Sequence, residues 1–297
     1  MQRMISAQKK KKPLSIGRVA VFAILVLYTL FLFGPLLIVF LTSVTSTEEL
    51  TSTTSFVWLP KITLQPYVAV FSEDIAADYL GAPSLLIGFA NTLWLTLLPL
   101  TVGLVVSGLS AYAYSKLKFP GQKRIFSIAY LLSIVPLGAF GIISYAFYSQ
   151  IGWVGTPLPL IIPGMFGGMG TVFFLKMFYE GIPDSLLEAG RIDGLGIFGP
   201  FFLILFPLAI PAFVAQFIFG FVGGYNNYMG PLLYLEGVPE LATLQLVLAD
   251  VRGTFPGLGK ENIHCASAVL GMLPLILIYC FLQKFFIKGI VVGGVKG

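Results

Sequence analysis

This sequence predicts an all-α chain that crosses a lipid bilayer six times and returns both termini to the cytoplasmic side. Three observations carry the prediction. Only 10% of the 297 residues are charged and 57% are hydrophobic, with a mean hydropathy of +0.92, whereas soluble domains carry about 25% charged residues. The apolar residues gather into six runs, each long enough to cross about 30 Å of hydrocarbon as a helix. Basic residues flank those runs on one side, the pattern that sets membrane topology.

The first run, 19–44, follows the basic cluster Lys9, Lys10, Lys11 and Lys12. Residues 1–18 read as a basic cytoplasmic segment, and 19–297 as a single transmembrane unit. The run exceeds the roughly 7–15 residues of a signal-peptide core, so it reads as an uncleaved anchor. A polar, net acidic outer segment, 45–85, follows, with Glu48, Glu49, Glu73, Asp74 and Asp78. The second run, 86–114, is overlong, which predicts tilt or projection from the bilayer. The third and fourth lie at 125–148 and 158–179. An inner loop, 180–200, leads to the fifth at 201–223. A second net acidic outer segment, 224–263, precedes the sixth at 264–287. Prolines 35, 99, 136, 163, 207, 211 and 274 fall within these runs. Neighbouring groups in a bundle can satisfy the carbonyls they free, and kinks are expected there.

Orientation follows from charge. With the N-terminus inside, the outer side holds only Lys61, Arg252 and Lys260 of the 18 basic residues. That asymmetry, with an even number of spans, places both termini in the cytoplasm. It also accounts for the net charge of +5 without a nucleic-acid partner.

Several chemistries lack their residues. No ionisable side chain lies near the middle of a run, which disfavours an ion-coupled carrier. Lys176 sits near the inner end of the fourth, where its stem can snorkel; the sole histidine, His264, sits at the outer end of the sixth. Cys265 and Cys280 have neither metal nor redox spacing and read as packing residues. The sequence carries no G-x-x-x-x-G-K-[ST] loop, no H-E-x-x-H and no G-x-S-x-G. A transporter of this composition must borrow its energy from another chain.

The inner loop is the segment suited to that purpose. Pro183 ends the preceding helix, Ser185 and Glu188 have capping-box spacing, and Asp184 and Glu188 suit a helix N-terminus. Gly194 and Gly196 can stop the helix, giving about two turns over 186–193. Ala189, Gly190 and Asp193 give it a face of little bulk, open to close approach. The residues alone leave two readings, a docking helix or a capped connector.

The stretch EAGRIDGLGIFGPFFLILFP resembles the EAA loop of permease subunits in carbohydrate ABC importers. Glu188, Ala189, Gly194, Ile204 and Pro207 stand at the family spacing, with Gly190 in place of the second alanine and Phe206 in place of leucine. The ending FIKGIVVGGVKG is similar to the C-terminus of the smaller maltose-transporter permease and related sugar permeases, and YNNYMGPLLYL resembles the segment after their fifth helix. The resemblance implies the type I importer permease fold, with Glu188, Ala189, Gly190, Arg191, Asp193, Gly194, Ile204 and Pro207 as the residues docking an ABC ATPase. Gly293, Gly294, Lys296 and Gly297 would approach that interface. It further implies no cofactor on this chain, ATP and magnesium on the ATPase, a second six-helix permease, an extracytoplasmic solute-binding protein, and a sugar or oligosaccharide as substrate.

Sugars are held by aromatic faces, amides and hydroxyls. On this chain the candidates are Asn91, Gln216, Tyr225, Asn226, Asn227 and Tyr228. Bonds between helices explain Asn91 and Gln216 as well, and an interfacial aromatic belt explains the tyrosines. A membrane scaffold or insertase subunit that docks a soluble partner is the alternative function.

Overall fold

A computed structural model describes residues 16–52, 59–74, 80–135, 141–235, 237–255, 257 and 259–294. Its regular elements are all helical. In chain order these are α1 (Ile16–Ser43), α2 (Thr47–Ser52), α3 (Gln65–Ser72), α4 (Ser84–Lys116), α5 (Gln122–Ile134), α6 (Gly141–Gln150), α7 (Leu158–Met165), α8 (Met169–Glu180) and α9 (Asp184–Ile192). They continue with α10 (Phe201–Leu208), α11 (Ile210–Tyr225), α12 (Met229–Tyr234), α13 (Leu244–Ala249), α14 (Val251–Thr254) and α15 (Glu261–Gly294).

Four stretches among the described residues are long and apolar enough to cross a membrane: Val19–Ser43, Ser84–Lys116, Leu158–Glu180 and Glu261–Lys284. A fifth is added if α10 and α11 count as one bent span. The third expected run differs. It comprises two shorter helices, α5 and α6, with 136–140, including Pro136, outside the described residues.

Helix α4 is the axis of the bundle and packs against α7, α8, α11 and α13, while α1 lies along α15. The run expected as the fourth span, Leu158–Glu180, is not continuous. Helix α7 ends at Met165, Gly167 takes a φ of +73°, and Gly168 is extended before α8 resumes at Met169. This break nests on a small-residue face of α4. A Cβ on Gly103 would stand 2.4 Å from the Gly164 carbonyl oxygen, and Gly168 N–H donates to Ser107 Oγ at 3.3 Å.

The run expected as the fifth span opens with a π turn over Phe201–Leu205 and bends by 72° around Ala209. Two prolines explain the bend. Pro211 has no N–H to offer the carbonyl of Pro207, so the helical ladder fails there.

The end of the bundle opposite the 181–200 loop is cross-braced between distant segments. Asn262 Nδ2 donates to Thr45 O at 2.9 Å and to Thr47 Oγ1 at 3.1 Å, and Lys260 pairs with Glu73. The buried Asp74 carboxylate accepts from Ser84 N–H and Oγ–H, holding the first turn of α4.

Candidate functional site

Helix α9 forms at the corner between the fourth and fifth spans. Its start differs from the capping box that Ser185 and Glu188 promise. The helix begins at Asp184, directly after an extended Pro183, and no side chain caps it. Ser185 therefore lies inside the first turn. Asp184 turns instead to α4, where its Oδ1 accepts from Lys116 Nζ at 2.6 Å. That hydrogen bond and the Lys116 charge hold the Asp184 carboxyl below its ordinary value, with smaller help from Lys118 and Arg191.

The far end of α9 stops as the glycines require. Gly194 has a φ of +85°, Gly194 N–H donates to Arg191 O, and Leu195 N–H donates to Gly190 O at 3.0 Å. These two bonds are the Schellman pair, which consumes the last carbonyls of the helix.

One side of α9 is buried. Leu187 is 3% exposed and joins the core cluster of Tyr179, Phe201 and Leu205. Gly190 is buried with it, and a Cβ there would stand 2.8 Å from Ile204 Cδ1 and 3.0 Å from Leu195 Cδ1. Gly190 and Ile204 of the motif are thus brought into contact. Glu188, Ala189, Arg191, Ile192 and Asp193 face outward, with Ile192 86% exposed. Pro207 is exposed at the bend of the fifth span. Gly293 and Gly294 end α15; Lys296 and Gly297 lie outside the described residues.

Two residues absent from the sequence candidates bracket this loop. Lys116 Nζ also donates to Ile182 O at 2.7 Å, and Tyr112 OH donates to Ile197 O at 3.0 Å. The only advance signal was a lysine closing an apolar run four residues after a tyrosine.

Most of the candidate sugar residues are used within the fold. Asn91 Nδ2 donates to Glu240 O and Ala242 O, both at 2.9 Å, and Asn91 Oδ1 accepts from Trp94 Nε1. Gln216 Oε1 accepts from Thr171 Oγ1 at 3.0 Å, joining α11 to α8. Tyr225 is not at an open mouth: it is 1% exposed, and its hydroxyl donates to Gly271 O. Asn226 Nδ2 donates back to Val222 O. Asn227 Oδ1 accepts from Gly230 N–H at the start of α12, and Tyr228 lines a wide depression of about 520 Å³ beneath the 237–250 segment.

A smaller cavity of about 240 Å³ opens between α4, α7, α11 and the 227–243 segment. Thr92, Thr96, Asn227 and Thr243 supply its polar lining, and Gly164, Gly220 and Gly224 let backbone form its walls. Of the six candidates only Asn227 reaches it. The threonines escaped notice because hydroxyls are common in apolar helices, where they bond to their own backbone.

Comparison with known proteins agrees with this arrangement. Residues 103–292, well over half of the chain, match the family model described as binding-protein-dependent transport system inner membrane component. The chain is 28% identical over 253 residues to the arabinooligosaccharides transport system permease protein AraQ of Halalkalibacterium halodurans, covering 85% of this chain and 86% of that one. It is 28% identical over 291 residues to the polygalacturonan/rhamnogalacturonan transport system permease protein YtcP of Bacillus subtilis, covering 93% and 97%. Its fold matches a chain of a bacterial ABC transporter involved in import of the acidic polysaccharide alginate, with a TM-score of 0.76 at 22% identity over 91% and 96% of the two chains. This chain belongs to the family of inner membrane components of binding-protein-dependent transport systems.

Proposed function

We propose that this chain is one of two permease subunits in an ATP-driven sugar importer. It crosses the membrane six times as a single unit over 19–297, with both termini in the cytoplasm. A second six-helix permease completes the path, an outer solute-binding protein delivers the sugar, and α9 docks an ATPase that holds ATP and magnesium. The chain itself is non-catalytic and needs no cofactor.

The observation that carries this reading is the two-sided build of α9. Leu187 and Gly190 bind it to the spans on either side, while Glu188, Ala189 and Ile192 stay uncovered. A helix of nine residues is marginal alone in water. Its buried side holds its place, and its open side is free for a partner groove. The sugar class rests on the likeness to AraQ and YtcP. The polar lining of the smaller cavity, between glycines that allow close approach, suits sugar hydroxyls better than an ion.

The test is co-purification from native membranes through a tag on this chain, in wild type and in Glu188→Lys. An ATPase and a second permease are expected with the wild type, and the ATPase is expected to be lost from the variant. Recovery of neither under gentle extraction would overturn the importer reading in favour of a scaffold or insertase subunit.

A further inference from the structure

Helix α9 is joined covalently only to the fourth and fifth spans, so movement at its outer face would be expected to pass to those two. The polar contacts of the loop include a third route. The last turn of α4 bonds to both flanks of the loop: Lys116 Nζ to Ile182 O and Asp184 Oδ1 on the entering side, Tyr112 OH to Ile197 O on the leaving side. Positions 112 and 116 lie on one helix face. We propose that Tyr112 and Lys116 are positioning residues that clamp the 182–197 loop to the second span, so that movement of α9 is transmitted into α4 as well as into its covalent neighbours.

The burial of the clamp supports this role. An exposed ion pair would contribute little, and Asp184 is exposed. Lys116, however, has a side chain only 6% exposed, and Tyr112 is 2% exposed. An ammonium group withdrawn from water needs its partners, so Lys116 follows the Ile182 carbonyl and the Asp184 carboxylate wherever they move. Tyr112 is fixed from its other side by Phe201, with ring centroids 6.1 Å apart.

The receiving end is stiff enough to carry a displacement. Gln122 Nε2 donates to the carbonyls of Ala113, Tyr114 and Leu117 at 3.1, 2.9 and 2.8 Å. Those are carbonyls that a helix end would otherwise leave open. From there α4 runs 33 residues, about 50 Å at the α-helical rise, and its Thr92, Thr96 and Pro99 line the smaller cavity. A single continuous helix, with Pro99 where it reaches the cavity, therefore connects the docking loop to the cavity wall.

This inference rests on the importer reading, and the experiment separates the two. The assembled complex is reconstituted into proteoliposomes carrying wild type, Lys116→Met, Lys116→Arg or Tyr112→Phe. ATP hydrolysis and uptake are measured with a panel of labelled arabinotriose, maltotriose and galacturonan trimer, using whichever the wild type imports fastest. Lys116→Met is expected to keep hydrolysis within about twofold while uptake falls about tenfold, the equivalent of one charge-assisted hydrogen bond. Tyr112→Phe should shift the ratio of ATP consumed to sugar imported in the same direction by about threefold. Lys116→Arg, which restores the donor, should recover the ratio. An unchanged ratio in an assembled complex, whether both rates fall together or neither moves, would overturn the clamp and leave the importer reading intact. If Lys116→Met fails to assemble, Tyr112→Phe decides the question by the same ratio. A wild-type assembly that hydrolyses no ATP, or imports none of the panel, refutes the importer reading and the clamp with it.

Discussion

Asn91→Ala separates a residue that touches sugar from one that holds the fold. The Asn91 amide makes three bonds: two donated to carbonyls 149 and 151 residues away, and one accepted from Trp94. Alanine has the higher helix propensity, so α4 itself loses nothing. What fails is the attachment of the 239–244 segment. With about 1 kcal/mol for each neutral hydrogen bond, and some of the stranded groups able to reach water, the loss is about 2–3 kcal/mol. That corresponds to roughly 30- to 150-fold in the local opening equilibrium. Hydrogen exchange of the purified protein reads it directly. The amide of Leu244, bonded to Thr92 Oγ1 at 2.8 Å, should exchange faster by that factor, while the amide of Asp193 in the α9 loop should not change. If protection at Leu244 is unaltered and the half-saturating sugar concentration for uptake rises tenfold, Asn91 is a sugar ligand and the structural argument is wrong.

Gly167→Ala should destabilise the protein by more than about 3 kcal/mol, since it adds a left-handed conformation to a Cβ clash. That Cβ would meet Ser107 Oγ at 2.1 Å and the Gly103 carbonyl at 2.6 Å. Gly168→Ala, with nothing within 4 Å, should stay within about 0.5 kcal/mol; thermal unfolding of both in the same detergent checks the contrast. The Lys116–Asp184 contact should be insensitive to mild acid. Because its partner lowers the Asp184 carboxyl, the contact is fully present above the ordinary carboxylate value and is lost only as pH falls through the lowered one. The ratio of ATP consumed to sugar imported should therefore be flat from pH 7 to pH 5, and a rise near pH 5 would contradict the assignment.

How much of this could be read in advance divides along a physical line. Long apolar runs and their charged flanks are local signals, and α1, α4 and α15 stand where the hydropathy placed them. The stop of α9 at Gly194 was equally local, since only a residue tolerant of positive φ can close that turn. Polar side chains were harder to assign. An amide in an apolar helix must find a partner, but the partner of Asn91 lies in a segment across the bundle, and that of Tyr225 lies 46 residues away. Sequence spacing carries no trace of either pairing, so residues that brace helices looked like residues that line a path. The capping box failed for a related reason: Pro183 could start the helix two residues earlier, and a lysine 68 residues distant claimed Asp184.

The breaks in the fourth and fifth spans illustrate the same limit and point to its consequence. Pro163, Pro207 and Pro211 announce that the ladder is interrupted, but not that Gly167 takes a left-handed turn between α7 and α8 or that α4 offers Gly103 and Ser107 to receive it. A Cβ at Gly108 would stand 2.6 Å from the Phe213 ring, so the small-residue face of α4 meets the bent fifth span as well as the broken fourth. Both interrupted spans therefore lean on one continuous helix. Segments interrupted by a break, seated on a helix that runs unbroken from the docking loop past the cavity, form an arrangement in which a small movement at one end can change the cavity's shape at the other. The clamp at Tyr112 and Lys116 places the entry point for that movement on the continuous helix itself.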